Sequence, residues 1–479
     1  MNTNRVSPRL CAFSAAAGLL LGIMGCGSSY MANNATTPSG SSAPAVLTVT
    51  DAPLANILSA QVTISSVSLT PGTGTPVTLL TTPTTVELSG LNGIQEPLDI
   101  ASVPMGTYTA ITATISSVSV TYVGSTGQTI TASAMLANPT VSIPLNPALT
   151  VNSTAGIDLH LAYNLASAFS ISGNTVTFTP VVTAACGNID GESNGQREIE
   201  VSGSLVSISP TSLVVQSADS GRQFTFTVAS STQFPSGVNS GNIPIGSIVR
   251  VQAQTQPDGS LLALSVTLES GQAGQSDGMQ NDGGKGIITA VTAPGGVLSG
   301  FTFVPREGFG TVQANATLTA LVASSTIYAL PVDAAAVGVP ADAFTAAELF
   351  PGQSVSVAGT FAASSSTSSP TVDAMRITLA GEGTQGILTS MPQGSASNLS
   401  FTLTLPTTSF LTTYAGVTAL HVLTSPATSL GDNLTASALA AEPAGTNLEV
   451  HGYLIMTAPG SLVLYADEVN AVQTSSSDH

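Results

Sequence analysis

Val62-Thr-Ile-Ser-Ser-Val-Ser-Leu-Thr70 and Ala113-Thr-Ile-Ser-Ser-Val-Ser-Val-Thr121 are near-copies of one phrase. Apolar side chains alternate (Val62, Ile64; Ala113, Ile115), slip by one residue at the Ser-Ser pair, and alternate again (Val67, Leu69; Val118, Val120). Period two marks a half-buried strand, and a one-residue slip that returns the same face inward marks a β-bulge. The two phrases predict related strands of one antiparallel β-sandwich.

Around them stand Leu47-Thr-Val-Thr-Asp51-Ala-Pro53, then Pro104-Met-Gly106-Thr-Tyr108, then Ile157-Asp-Leu-His160-Leu with Val176-Thr-Phe178-Thr-Pro180-Val-Val182. Asp51 is placed to cap the turn that Pro53 sets, and Gly106 to take the φ of the turn before Tyr108. This set resembles an uncharacterised domain family of secreted bacterial proteins whose first strand ends in T-D-A-P and whose middle carries P-x-G-x-Y. The resemblance covers residues 44–184 and implies a sandwich of immunoglobulin or transthyretin type, with no activity to carry over.

Residues 187–198, GNIDGESNGQRE, are a polar break. A threefold pattern follows. Its units open with Val201-Ser-Gly203, Gly286-Ile-Ile and Gly386-Ile-Leu, and close with paired strand signals at 248–251 and 259–266, 355–359 and 372–377, and 448–452 and 462–469. Each unit has room for about five strands and is too long for a solenoid repeat, so each should own a core. Ala-rich stretches at Pro340–Leu349 and Thr435–Ala441 predict a short helix after the third strand of units two and three. Three strands, a helix, then two strands is the order of an OB-like barrel, whose closure removes exposed edges. Asp258-Gly259 reads as a hairpin turn. These units resemble a second uncharacterised family, of bacterial envelope proteins with small β-barrel repeats.

The expected class is therefore all-β, in a serial plan. A sandwich spans 44–184, a linker 185–197, barrel units 198–270, 285–381 and 384–472 with a Gly-rich linker at 271–284, and a tail 473–479.

The N-terminus adds an address. Arg5 and Arg9 precede an uncharged run, Leu10–Gly25, that is shorter than the roughly 20 residues a membrane span needs. It ends in Leu21-Gly-Ile-Met-Gly25-Cys26, which resembles a bacterial lipoprotein signal peptide covering residues 1–25. The resemblance implies acylation of Cys26, with each buried methylene contributing about 0.8 kcal/mol to membrane affinity. Gly27 is not the aspartate read as inner-membrane retention, so the expected address is the cell envelope, at the outer membrane. Residues 26–43 are small and polar and read as a flexible tether reaching about 20–25 Å.

Cleavage after Gly25 leaves six of the eight basic residues against 26 acidic ones. Such a surface repels phosphate backbones, so no nucleic-acid partner is expected. Only 7% of the chain is charged, and Ser, Thr, Asn and Gln must supply most of the polar surface. With Cys11 in the signal and Cys26 acylated, Cys186 has no intramolecular partner and reads as an inert, partly buried thiol.

Candidate chemistry is sparse. Gly274-Gln-Ser276-Asp-Gly278 matches G-x-S-x-G, but it lies in a glycine-rich linker rather than between a strand and a helix. The histidines His160, His421, His451 and His479 share no metal-ligand spacing, and His160 and His451 read as exposed strand residues. Asp190-Gly-Glu192-Ser-Asn194-Gly195 resembles the start of a calcium loop, but Val201 stands where the bidentate Glu belongs. Asp190, Glu192 and Asn194 are thus candidate calcium ligands, with solvated linker as the plainer reading and Asp277 and Asp282 as weaker candidates. No other cofactor is expected. Phe224, Phe226, Phe301, Phe303 and Phe401 read as core.

The expected function is non-enzymatic: an envelope-anchored lipoprotein whose linked modules bind a protein or glycan partner, joint action raising effective concentration. The alternatives are a passive spacer or assembly scaffold, and a hydrolase of envelope polymers using Asp467 and Glu468 or a carboxylate pair assembled between domains. Adjacent strand residues face opposite ways, which disfavours that first pair. Two carboxylates converging on a pocket would favour the hydrolase, and a broad apolar patch the binding module.

Overall fold

A computed structural model describes residues 41–471, apart from 53–56, 92–93, 125–127, 153, 174, 190–197, 236, 270–281, 294–295, 363–369, 396, 408, 432–433 and 459. Cys26, tether residues 26–40, Asp190, Glu192, Asn194, Gly274–Gly278 and His479 lie outside the described residues, and the expected tether ends sooner than 43, because the first strand begins at Ser42 and buries Ala43.

The described chain is nearly all β. The two opening phrases lie in Ile57–Pro71 and Gly106–Val123, which pair antiparallel with each other. Val62 opposes Val118, Ile64 opposes Ile115 and Val67 opposes Ala113, with register shifts at the serines. Val62, Ile64, Val67 and Leu69 are buried on one side of the bulge and the other, so the slip does keep one face inward. A second sheet carries Ser42–Ala52 between Glu96–Pro104 (antiparallel) and Ile157–Asn164 (parallel), with Val182–Asn188 outside. That parallel pair departs from the purely antiparallel expectation. Both sheets contribute to one apolar core, from Leu47 and Leu159 on one side to Ile64 and Ile115 on the other.

One turn reading needs correction. Asp51 Oδ1 accepts from the Leu165 amide (3.1 Å), and the turn at 53–56 lies outside the described residues. Gly106 has no left-handed φ. Pro104-Met-Gly106-Thr-Tyr108 is the corner at which the chain passes from one sheet to the other, and the Tyr108 hydroxyl closes it by donating to the Pro104 carbonyl (2.7 Å). The corner uses the tyrosine, and a small residue where its ring passes, instead of a special backbone angle.

Each of the three units has five principal strands. In the first barrel these are Glu198–Ser209, Ser212–Ser217, Gln223–Thr227, Ile248–Thr255 and Leu261–Leu268, closed in the order first, second, third, fifth, fourth. Only the third–fifth pairing is parallel. The second barrel (Asp282–Thr292, Gly300–Phe309, Leu318–Ala329, Ser354–Ala362, Thr371–Leu379) repeats that order. The third unit (Glu382–Leu388, Asn398–Thr404, Ala419–Leu423, Asn447–Ala458, Ser461–Ala471) closes the same ring through Ile387 opposite Thr404 and Leu388 opposite Leu403. Asp258 and Gly259 form the expected hairpin turn, with Gly259 at φ +80° and Asp258 Oδ1 accepting from the Ser260 amide (2.9 Å).

Thr435 caps a helix at Ala436–Ala441 by accepting from the Ala438 amide (3.1 Å). Pro340–Leu349 yields only a 3-10 turn at Ala346–Glu348. Thr345 and Glu348 form a capping box there, so helix can begin no earlier, and Pro351 holds its approach extended. The five phenylalanines are buried as expected.

The units are not separate beads on polar linkers. Val46 of the N-terminal module belongs to the first barrel's core; Tyr453 and Ile455 of the third unit belong to the second barrel's; Leu58, Ile287, Val304 and Phe350 belong to the third's. The described residues from 41 to 471 form one compact unit. Outer strand faces that would otherwise meet water meet each other.

Candidate functional site

In the first barrel's opening strand, Ile199 and Val201 point into the barrel, leaving Glu200 and Ser202 on its outer face. Ile248–Thr255 does the same with Val249 and Val251 inside and Arg250 and Gln252 outside, and Gln252 opposes Glu200 across the ladder. Because the second and third barrels pack over this outer face, Glu200, Ser202 and Arg250 are buried. Arg250 is 2% exposed.

Around it a charge network ties three barrels together. Arg250 Nη1 donates to Glu200 Oε2 (3.0 Å), Nη2 lies 3.5 Å from Asp333 Oδ1, and Nε lies 3.6 Å from Glu269 Oε1. From the second barrel, Lys285 Nζ donates to Glu200 Oε1 (2.8 Å) and stands 3.5 Å from Glu307. Asp333 also accepts from Gln252 Nε2 (2.8 Å) and from the Tyr453 hydroxyl of the third barrel. Burial opposes ionisation of Glu200, but Lys285 and Arg250 outweigh it and hold its carboxyl down at about 2. On the other flank, Arg306 donates from Nε to the Leu58 carbonyl (2.9 Å) and from Nη1 to Glu382 (3.3 Å), joining the N-terminal module to the second and third barrels.

Between the N-terminal module and the first two barrels lies a small pocket, partly open to solvent. Four carboxylates line it: Glu96, Glu200, Asp219 and Glu307, with Lys285 and the Ser202 hydroxyl beside them. Burial, then the Glu307 charge, pushes Glu96 up to about 8. Asp219 is raised by burial and by Glu96 and Glu307, and Glu307 by burial against the pull of Lys285.

The histidines correct their sequence reading. His160 is buried with Nδ1 3.1 Å from Thr48 Oγ1. His451 is 4% exposed, because its strand face lies against the other barrels, and its Nδ1 lies 2.7 Å from Asp467 Oδ1. Burial pulls the imidazole pKa down, but the Asp467 charge and hydrogen bond lift it to about 8. A free histidine titrates near 6.5. The pair therefore contributes stability that is complete below about 6.5 and lost as pH rises through about 8. Urea midpoints at pH 6, 7 and 9 should fall in that window, and Asp467→Asn should remove that part of the slope; an equal slope in the variant would refute the assignment.

Asp282 is engaged within the fold, its Oδ1 accepting from the Thr311 amide (2.7 Å) and hydroxyl (2.9 Å). Asp467 faces His451 while Glu468 accepts from Asn470 Nδ2 (3.0 Å), so the two do not converge. Cys186 is half-buried, its thiol pushed up by burial and by Asp158. Among the described residues no three ligating side chains are grouped to hold a metal, and no helix is long and apolar enough to cross a membrane.

Sequence reasoning missed Glu200, Arg250, Lys285 and Glu307. Their signal was scarcity: in a chain with 7% charged residues, the few charges sit on outer strand faces of consecutive barrels.

No curated protein matches the chain. A domain of unknown function, DUF4382, matches residues 42–282. The match starts with the first strand of the N-terminal module, continues past residue 184 through the first barrel, and ends at the first residue of the second. Glu96, Glu200, Asp219, Arg250 and Glu269 fall within it, whereas Lys285, Glu307, Asp333 and His451 come from the barrels beyond. With half its length so matched, the chain belongs to the DUF4382 family.

Proposed function

We propose that this protein is a non-enzymatic lipoprotein of the cell envelope, held through acylated Cys26 at the outer membrane, that binds a protein or glycan partner. In this reading the N-terminal module is a sandwich of immunoglobulin or transthyretin type, and the three barrels are OB-like members of a repeat family of envelope proteins. The repeated ring order with a parallel third–fifth pair supports the OB-like assignment.

One observation carries the functional reading. The side chains best suited to chemistry, Arg250, Lys285, Arg306 and His451, are engaged in holding modules together. What remains outside is hydroxyl-rich strand and loop, the material of recognition surfaces. Close packing of the modules argues against an extended spacer.

A hydrolase reading has one specific observation in its favour: Glu96 held protonated and Glu200 held ionised face one pocket assembled between modules, the division of labour of an acid and a base. Yet both oxygens of Glu200 are occupied by Arg250 and Lys285, and the pocket is small for a polymer.

Crosslinking in cells should recover a specific partner with the intact chain; recovery of the protein alone would count against binding. Cys26→Ser should shift the protein from the membrane to the soluble fraction, and unchanged membrane association would sink the anchor. Purified chain should release no reducing ends from envelope glycans. Release abolished by Glu96→Gln would establish the hydrolase instead.

A further inference from the structure

We propose that the carboxylate pocket is a proton-held latch, which docks the N-terminal module on the first two barrels while Glu96, Asp219 and Glu307 share protons and loosens when they ionise together.

The geometry carries this. Three carboxyls reach one pocket from three modules: Glu96 from the N-terminal module, Asp219 from the turn after the first barrel's second strand, and Glu307 from the second strand of the second barrel. Glu87 stands behind Asp219, whose Oδ2 accepts its amide (3.1 Å). Glu200 forms another wall. The ammonium facing them is Lys285, already drawn to Glu200 at 2.8 Å. Arg250 is held by Glu200, Glu269 and Asp333, while Arg306, near Gly90, is turned to Leu58 and Glu382. Fully ionised, the pocket would hold more negative charge than its cations offset, in surroundings of low dielectric.

A second observation points to a missing proton donor or small polar guest. Ser202, 8% exposed, lines the pocket with an unpartnered Oγ, and Glu307 Oε2 is buried without a partner. A protonated carboxyl supplies the donor that ionised neighbours cannot.

Beside the apolar contact of Val46 and Ile100 with the first barrel's core, this flank carries polar ties. Ser217 Oγ donates to Glu96 (3.2 Å), the Glu200 amide to the Gln95 carbonyl (2.9 Å), and Arg222 pairs with Asp99 at the rim (2.6 Å). Glu96 keeps its proton to about 8 when docked, against about 4.3 for a free glutamate. Docking is therefore tightest below about 4.3 and weakens as pH rises through about 8. Each proton retained only in the docked form raises the opening equilibrium about tenfold per pH unit.

Hydrogen exchange on the full chain tests this. After correction for intrinsic rates, protection of 84–91, 94–98 and 217–223 should fall about tenfold per unit between pH 6 and 8, while Thr140–Val151, a strand without titratable side chains that does not line the pocket, holds constant. Glu96→Gln with Asp219→Asn should keep the pH 6 protection at pH 8. If that variant does not fold, Glu307→Gln takes its place. Flat protection in the unaltered chain overturns the latch by itself, as does a folded variant that loosens with pH as the parent does.

Discussion

Arg250→Ala is expected to destabilise the protein by about 3–5 kcal/mol and to separate the barrels before it unfolds them. Arg250 is nearly inaccessible and faces three carboxylates, of which Glu269 is 1% exposed. Truncation removes the charge but leaves the carboxylates buried, the costly way to break a buried ion pair. Lys285 would still serve Glu200, so the loss falls on Glu269 and Asp333. Glu269 already sits at about 7, where burial is opposed by Arg250 and Lys285. Without Arg250 it should move higher and take up a proton at neutral pH. Arg250→Lys keeps the charge but not the fork that reaches three partners, and should fall between parent and alanine. Urea titration followed by circular dichroism reads the effect. A shift of less than about 1 kcal/mol would mean that solvent reaches the junction and that the network is no clamp.

How much of this was legible follows from what a pattern in sequence can carry. The bulged strands at Val62–Leu69 and Ala113–Val120 were readable because alternation and its slip are local, and the five-strand units because their opening and closing signals recur three times. The capped helix at Ala436–Ala441 had its own local signal in Thr435. Period two reports which side chains leave a barrel, but not what stands outside it. Glu200, Ser202, Arg250 and His451 all occupy outward positions, which by default meet water. They meet other barrels instead, and only the packing of residues far apart in sequence decides that. The same gap explains the expectation of modules strung on polar linkers: the segments at 185–197 and 271–284 announce boundaries, not distances.

Gly203→Ala and Gly286→Ala should be as damaging as the loss of Arg250, through sterics instead of charge. Each glycine lies in the first strand of its barrel, beside the second strand. A Cβ at Gly203 would collide with the Gln216 carbonyl, and one at Gly286 with the Val304 carbonyl. At Gly386 of the third barrel, it would stand 2.9 Å from the Thr404 carbonyl oxygen. All three glycines let the first strand coil tightly against the second, so that five strands can close. The atoms struck are backbone, with the Leu403 Cβ equally close at Gly386, and none of them moves with side-chain rotation. The ladder must open locally, with loss of the buried hydrogen bonds and apolar packing that closure provides, a cost of several kcal/mol by the scale of core overpacking with unpaired backbone groups. Gly187→Ala is the matched control. It sits in a strand with nothing within 4 Å of the new carbon, and a surface change of that kind should stay within about 0.5 kcal/mol. Thermal melts of the four variants separate the alternatives. If Gly203→Ala and Gly286→Ala melt with Gly187→Ala, the glycines are not what closes the barrels; if Gly386→Ala falls between, the severity follows the closeness of the carbonyl, as the sterics require.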